Sequence, residues 1–599
     1  MSANFMQLLQ GAAAHFQRGA FDAALEASDA ALRAWPGHPE ALHIKALSLG
    51  RLGRVEEALP VFDRTAASHP QKHVILANKG NALRAAGRFD EAVAAYEASV
   101  AVEPGFITGW ISLGLALWKA GDAVRAEKIM RDTLVRAPGD PMPLNNLGVL
   151  LEDQGRPAEA AEQFSAALAL KPDMLFARVN RGAALRKIGR VEEALADLRA
   201  AVEAAPGDAE ARYQLGVALR QSGDIAEAAA AYRQALSLAP LRADIHRDLA
   251  RMLWEQGAGA RFLEPLDAVI AQYPNADLLS LKAELAYPAG LADIAENAAK
   301  EALTLKPEAS APKRIIGLVR VRRADFDGAV EMFSGAFAAA PDDFDALHAL
   351  VETRLARGEF DEAVRLLERD APPAHLQKHI ALKANAMRLS GDREYRRFYD
   401  YDRFARKMFI ETPEGFTDLA AFNAALAEAI LPLHRGTTRP LEQTLYGGTQ
   451  SAGRLWLEPH PVIQTLKTQL LAAAERYVEE LPDDPVHPFL SRKTKDLECQ
   501  GAWSVVLASG GGHVDHIHPK GWISASYYVQ VPDEVLSGEK PGFLRLGATG
   551  LAGVKLEAER WFKPEAGAVI FFPSYMWHGV EPFHSEQPRI TAPFDLAPR

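Results

Sequence analysis

Over the first two-thirds of the chain, small and apolar residues fall on a ruler of 34 positions. Gly19, Gly53, Gly87, Gly121, Gly155, Gly189, Gly223 and Gly257 keep this step. So do Pro36, Pro70, Pro104, Pro138, Pro172, Pro206, Pro240 and Pro274, and a third series runs through Ala24, Ala58, Ala92, Ala126, Ala160, Ala194 and Ala228. One residue is then lost, and the ruler resumes at Gly290, Ala324 and Gly358, with Pro307 and Pro341 in phase. Three interleaved series predict a pair of helices in each period. The glycine belongs in the turn between the two helices, where a residue free of Cβ strain is needed. The alanine lies in the second helix at a close helix–helix contact, and the proline ends that helix and opens the next unit. The two runs of the ruler give about eleven units over residues 8–375, the later ones less regular.

The period, and units such as Ala82-Leu83-Arg84-Ala85-Ala86-Gly87-Arg88-Phe89-Asp90-Glu91-Ala92, resemble the tetratricopeptide repeat. The resemblance implies an all-α superhelix with a concave face made by the first helices. It also implies protein or peptide binding, because such a stack offers no chemistry of its own. One inner-face position can be followed by counting: Asn78, Ser112, Asn146, Asn180 and Gln214, each two residues before Gly80, Gly114, Gly148, Gly182 and Gly216. A ladder of amides and hydroxyls can hydrogen-bond the backbone of an extended peptide without reading its sequence. It can equally be a row of solvated side chains.

After Asp370-Ala371-Pro372-Pro373 the period is lost. Residues 376–414 read as a charged helical cap and linker. Glycine, proline, tryptophan and histidine then become denser, and short β-like runs appear at 502–507, 523–531, 542–546, 568–572 and 589–594. Turn residues separate them, which predicts a sandwich or barrel. Helices are expected before them, over 419–431 and 462–481.

Candidate chemistry concentrates in this last region. His513, Asp515, His516 and His518 place four groups able to bind a metal within six positions. A second signal, Phe571-Phe572-Pro573-Ser574-Tyr575-Met576-Trp577-His578, adds a distant histidine, and Arg589-Ile590-Thr591 follows. In a regular strand residues i and i+2 share a face. His513 with Asp515 is then one pair, and His516 with His518 is another on the opposite face. The usual facial triad, His-x-Asp plus a distant His, selects His513, Asp515 and His578. Arg589 and Thr591 point the same way and can grip one carboxylate of an anionic cosubstrate, the arginine by its bidentate fork. Tyr528 can add a hydroxyl. Trp522 and Tyr527 stay open between core packing and pocket lining.

The order of these motifs over 415–599 resembles the Fe(II)- and 2-oxoglutarate-dependent dioxygenases, in particular the group attached to tetratricopeptide arrays. The matching residues are His516-Ile517-His518-Pro519, the strand 524–528, the stretch 564–574 that leads to His578, and Arg589-Ile590-Thr591. The segment 441–450 looks like the start of that group's domain. The resemblance implies a double-stranded β-helix, or jelly roll, with flanking helices. It places Fe(II) on His516, His518 and His578, an all-nitrogen alternative to the His-x-Asp triad, with Asp515 available to accept a proton from a ligand imidazole. It makes 2-oxoglutarate the anion held by Arg589, Thr591 and Tyr528.

Bulk properties narrow the remaining choices. The 599 residues are 48% hydrophobic and 24% charged, with a net charge of -11. These are globular values without the basic stripe of a nucleic-acid binder. Cys499 is the single cysteine, so no intrachain disulfide or thiolate metal cage can form, and it is expected as a buried packing residue. The first residues carry no basic region or long apolar run, and no segment reaches the roughly 20 apolar residues of a membrane span. A cytoplasmic chain is expected. Gly510-Gly511-Gly512 leads into a β-like run rather than a helix, which excludes a phosphate cradle, and no nucleophile elbow or Walker sequence occurs. The expectation is a multidomain oxygenase that hydroxylates a protein or peptide brought by the repeats. Its alternatives are a scaffold with a non-catalytic jelly roll and a small-molecule oxygenase.

Overall fold

The computed structural model describes residues 3–434, 444–451 and 455–599. The chain divides into two compact units, residues 1–231 and 232–599. The first consists of paired helices, for example Lys72–Ala85 with Phe89–Val102. Every glycine of the ruler from Gly19 to Gly257, with Gly290 and Gly358, has a positive φ. Among the described residues, Ala324, which stands in the same phase, is the non-glycine residue that adopts this conformation, at φ 58°. The ruler thus follows a backbone requirement. Its alanines are fully buried from Ala24 to Ala228. Glycines inside the first helices answer a packing need: a Cβ on Gly148 would lie 2.6 Å from the Phe164 ring.

Polar groups follow the same period. Trp110, Arg178 and Arg212 stand six residues after the repeat prolines and donate side-chain hydrogen bonds to the carbonyls of Pro104, Pro172 and Pro206 at 3.0, 2.6 and 2.7 Å. These carbonyls follow a helix end, where intrahelical donors run out.

The second unit continues with helical pairs such as Ser310–Arg322 with Phe326–Ala339 and ends its α-rich part with Leu376–Ser390. Among the described residues ten strands follow: β1 Arg406–Phe409, β2 Leu445–Gln450, β3 Leu497–Ala502, β4 Val505–His516, β5 Ile523–Gln530, β6 Leu544–Leu546, β7 Arg560–Phe562, β8 Ala568–Pro573, β9 His578–Val580 and β10 Arg589–Pro598. The sheet order is β1-β8-β5-β10-β4-β9-β6-β7, with β2 also on β4 and β3 also on β10. The antiparallel sheet curls into a nearly closed barrel of the jelly-roll kind. The helices expected before it occur as Leu419–Ile430 and Pro461–Glu480.

Two local expectations change. Arg406–Phe409 lies in the stretch read as helical, but it is strand β1, paired antiparallel with β8. Cys499, expected inside, is exposed on β3. Segment 441–450 is described only from residue 444, where it leads into β2; 441–443 lie outside the described residues. One apolar cluster runs from Phe344 in the helical part to Ala597 on β10. Arg388 ties the two parts together, donating to the carbonyls of Gly547 at 2.6 Å and Glu557 at 2.8 Å. A Cβ on Gly553, in the same loop, would sit 2.8 Å from Phe326. Among the described residues no helix is long and apolar enough to cross a membrane.

Candidate metal centre

His516 is the last residue of β4 and lies in register with His578, the first residue of β9. Between His513 and His516 the ladder has a bulge: their partners on β9 are Val580 and His578. Three steps on β4 therefore face two on β9, and the extra residue upsets the alternation of a regular strand. His513 comes to the same side as His516, the rings stacked with centroids 5.8 Å apart. Asp515 is drawn elsewhere. It accepts Arg545 Nε at 2.8 Å and Nη2 at 2.6 Å, and Arg545 also pairs with Glu581. Arg545 reaches across β9 at its register partner Gly579, where a Cβ would lie 2.5 Å from Asp515 Oδ1. The pairing of His513 with Asp515 expected from alternation is thus split. Asp515 clamps neighbouring strands and accepts no proton from an imidazole of the cluster.

His516, His518 and His578 converge, with candidate ligand atoms all within 4.8 Å of one another. Each ring spends its Nδ1–H outside the cluster. His516 donates to the Val514 carbonyl at 2.8 Å, and His578 donates to that of Met576 at 2.9 Å. His518 donates to Asp595, with Oδ1 at 2.6 Å and Oδ2 at 2.8 Å. These bonds assign the tautomers and leave the Nε2 lone pairs facing inward. His516 Nε2 and His518 Nε2 are 3.1 Å apart. At that distance the two nitrogens either share a proton or both face one cation. Burial holds the His516 and His578 imidazoles well below their ordinary range, helped by the neighbouring histidines. Neutral imidazole is the form that binds a metal.

Arg589, Thr591 and Tyr528 come together on β10 and β5, where Thr591 and Tyr528 are register partners. Arg589 is 2% exposed, and its guanidinium lies 5.0 Å from the centre of the Tyr528 ring. Its Nε and the Tyr528 hydroxyl are buried without a hydrogen-bond partner. Leaving such groups unpaired costs about 1–3 kcal/mol each, more when charged. Burial pushes the Tyr528 phenol up, against the pull of Arg589, so it remains a donor. His513 is pushed down to about 3 by burial, then by Arg589 and His518. A buried arginine with an unpartnered Nε, whose charge also acts on His513, suits a bound anion. Both parts of the site therefore fit Fe(II) and 2-oxoglutarate.

Other residues settle differently. Trp522 and Tyr527 are core residues that donate to the Phe489 carbonyl at 2.9 Å and to Asn423 Oδ1 at 2.7 Å. The sequence motifs do not single out Asp595 or Arg545. Asp595 was legible in principle, because it shares the parity of Arg589 and Thr591 along β10. The inner-face ladder is half-buried and bonded to side chains outside it: Asn180 Nδ2 donates to Asn145 Oδ1 at 3.3 Å, and Gln214 Nε2 to Glu210 Oε1 at 2.8 Å. Asn78 Nδ2 lies 3.0 Å from His43 Nε2. Ser112 is half-buried in the helix Ile107–Lys119.

A second group, Glu40, His43 and His69, also brings three candidate ligands together. Here the lone pairs are in use. His69 Nδ1 accepts the Gln71 N–H at 3.1 Å, which turns Nε2–H toward Glu40 Oε2 at 3.5 Å. His43 Nε2 faces the Asn78 amide. These rings are satisfied without an ion.

Residues 501–595 match the family model described as "Putative 2OG-Fe(II) oxygenase". Residues 9–73, 78–141, 145–209 and 213–277 match one tetratricopeptide repeat model, and 320–386 match another. The chain is a tetratricopeptide repeat protein fused to a domain of that oxygenase model. No curated protein matches it. Among solved structures, yeast Tom70 is similar at 14% identity and a TM-score of 0.37, covering 66% of this chain and 96% of that one. MamA from Desulfovibrio magneticus RS-1 is 27% identical with a TM-score of 0.26, covering 28% of this chain and 93% of that one.

Proposed function

We propose that this tetratricopeptide repeat oxygenase uses Fe(II) and 2-oxoglutarate to hydroxylate a protein or peptide. The observation that carries the reading is the approach of the His516 and His518 Nε2 atoms to 3.1 Å, with every Nδ1 of the cluster committed elsewhere. His516, His518 and His578 are the residues that would hold the iron. Bound Fe(II) with 2-oxoglutarate and O2 supplies hydroxylation of an unactivated C–H bond: one oxygen atom goes to the substrate, the other to succinate, and CO2 leaves.

The chain's own residues do the rest. Arg589 provides the buried charge for the distal carboxylate of 2-oxoglutarate, and Thr591 and Tyr528 supply hydroxyl donors beside it. The unpartnered Arg589 Nε and Tyr528 hydroxyl support this assignment. The backbone carbonyls of Val514 and Met576 orient two imidazoles. Orientation of this kind keeps a reacting centre in one geometry. The amide ladder of Asn78, Ser112, Asn146, Asn180 and Gln214 gives the repeats a surface for an extended peptide, and Gln214 Oε1 is a buried acceptor without a partner. We assign the repeats to 8–375, a connecting segment to 376–414 and the oxygenase domain to 415–599.

The test is turnover by the full chain purified without oxygen. Fe(II) and 2-oxoglutarate are added, then air, and succinate is measured with and without cell extract. Succinate that requires both additions and rises with the protein fraction of the extract supports the reading. Absence of iron binding and of succinate sinks it in favour of a scaffold. Stimulation by the small-molecule fraction alone removes the protein substrate.

A further inference from the structure

The triad of His516, His518 and His578 offers three neutral donors and no charge. A dication held by it would keep its full positive charge, unlike one held by a triad that includes a carboxylate. The structure places a carboxylate one hydrogen bond away. Asp595 lies on the inward parity of β10, nearly buried, with both oxygens on His518 Nδ1 at 2.6 and 2.8 Å. Ser524 Oγ also donates to Asp595 Oδ1 at 2.6 Å, and itself touches Ser574 Oγ at 2.9 Å. The site is tightly shaped: a Cβ on Gly521 would lie 3.2 Å from Asp595 Cβ and 2.4 Å from Ser574 Oγ. Among the described residues, the ion-pair partner found for Asp595 is His518.

That isolation is the physical point. A buried carboxylate without positive charge nearby is strongly disfavoured. Its neighbour His518 is an imidazole turned with its other nitrogen toward the cluster. A cation on the far side of that ring, where the three Nε2 atoms meet, would supply a balancing charge. Asp515, the carboxylate nearest in sequence, is neutralised by Arg545 and cannot serve.

We propose that Asp595 is the positioning and charge-compensating residue of the metal centre, acting through His518. It holds the ring by Nδ1–H and raises the donor strength of Nε2, giving an all-histidine triad the anionic character that its ligands lack. This rests on the reading that the three histidines bind a divalent metal.

The experiment is anaerobic titration of the metal-free full chain with Co(II), followed by visible absorption, without cosubstrate or turnover. Wild type is expected to bind one Co(II), and His518→Ala to lose it. Asp595→Asn keeps the size and an acceptor for Nδ1–H but removes the charge. It is expected to bind Co(II) about 10–100-fold more weakly, with the visible band retained. Asp595→Glu, which keeps the charge, is expected to bind at least tenfold more tightly than Asp595→Asn. A purely structural role for Asp595 would lower the melting temperature of the metal-free protein without separating Asn from Glu. If Asp595→Asn does not fold, Asp595→Ser replaces it against Asp595→Glu. Equal Co(II) affinity in wild type and the Asn variant, or tighter binding by the latter, overturns the proposal while leaving the triad intact. Failure of wild type to bind Co(II) overturns the metal centre itself.

Discussion

Three histidine clusters in this chain differ in where their lone pairs go. In the first unit, His43 and His69 turn theirs to an asparagine amide and a backbone N–H. In the helical part of the second unit, His379 Nε2 donates to the Leu367 carbonyl at 3.0 Å, and its Nδ1 accepts from His348 Nε2 at 3.3 Å. That relay ends at His348 Nδ1, which is buried and unpartnered. At the β4–β9 junction the direction reverses. Every Nδ1 donates outward, and the Nε2 atoms converge. Proximity of histidines is common to all three regions. A metal site also needs its lone pairs pointing at one another, with the protons spent on something rigid behind.

The largest expected effect breaks this contrast directly. Replacing His516, His518 or His578 by alanine should weaken Co(II) binding by more than about 100-fold, beyond the loss from removing an outer partner. Binding that survives in two of the three variants would place the metal elsewhere. Next is the anion half of the site. Arg589→Met should weaken 2-oxoglutarate about 100-fold, the scale of a lost buried charge partner, while Co(II) affinity without cosubstrate stays within threefold. Calorimetry with and without 2-oxoglutarate reads both.

The relay of His348 and His379 should respond to acid rather than to metal. Burial pushes His348 down to about 2, helped by Lys378, His379 and His375. Its folded pKa is depressed, so the unfolded chain takes up a proton below about 6.5 that the folded chain refuses. The contribution to stability is complete above that pH and falls as pH drops toward the folded value. Between pH 6.5 and 5 the loss is about 2 kcal/mol. Urea midpoints of wild type and His348→Leu should converge as pH falls over this window; parallel curves would refute the assignment. The smallest effect belongs to the first cluster. His43→Ala should leave Co(II) stoichiometry and affinity unchanged within twofold, and a second Co(II) lost with His43 would erase the distinction.

Much of this architecture was legible because it repeats or because it is polar. The glycine ruler predicted turns with positive φ at each period, and the structure shows one at each. Ala324 adopts the same positive φ at its place in the period without being a glycine. Strand parity put Arg589 and Thr591 on one side, and in the fold Thr591 lies in register with Tyr528, whose ring is 5.0 Å from the Arg589 guanidinium. Two of the failures lie in strand pairing. Parity along β4 assumed a regular strand, and the bulge between His513 and His516 moved His513 to the histidine side and left Asp515 to Arg545. Strand β1 was hidden because Arg406–Phe409 is short, charged and next to helices, and its partner on β8 lies more than 150 residues away.

The chain by itself determined the period, the class of each region and the inventory of metal-capable and cation-bearing side chains. Those properties depend on residue type and local spacing, which a linear string carries in full. Tertiary structure decided which carboxylate stands behind His518, which one pairs with Arg545, and which of three histidine clusters leaves its lone pairs unspent. These depend on hydrogen bonds between strands far apart in sequence, and on one extra residue in a ladder. Neither can be counted along the chain.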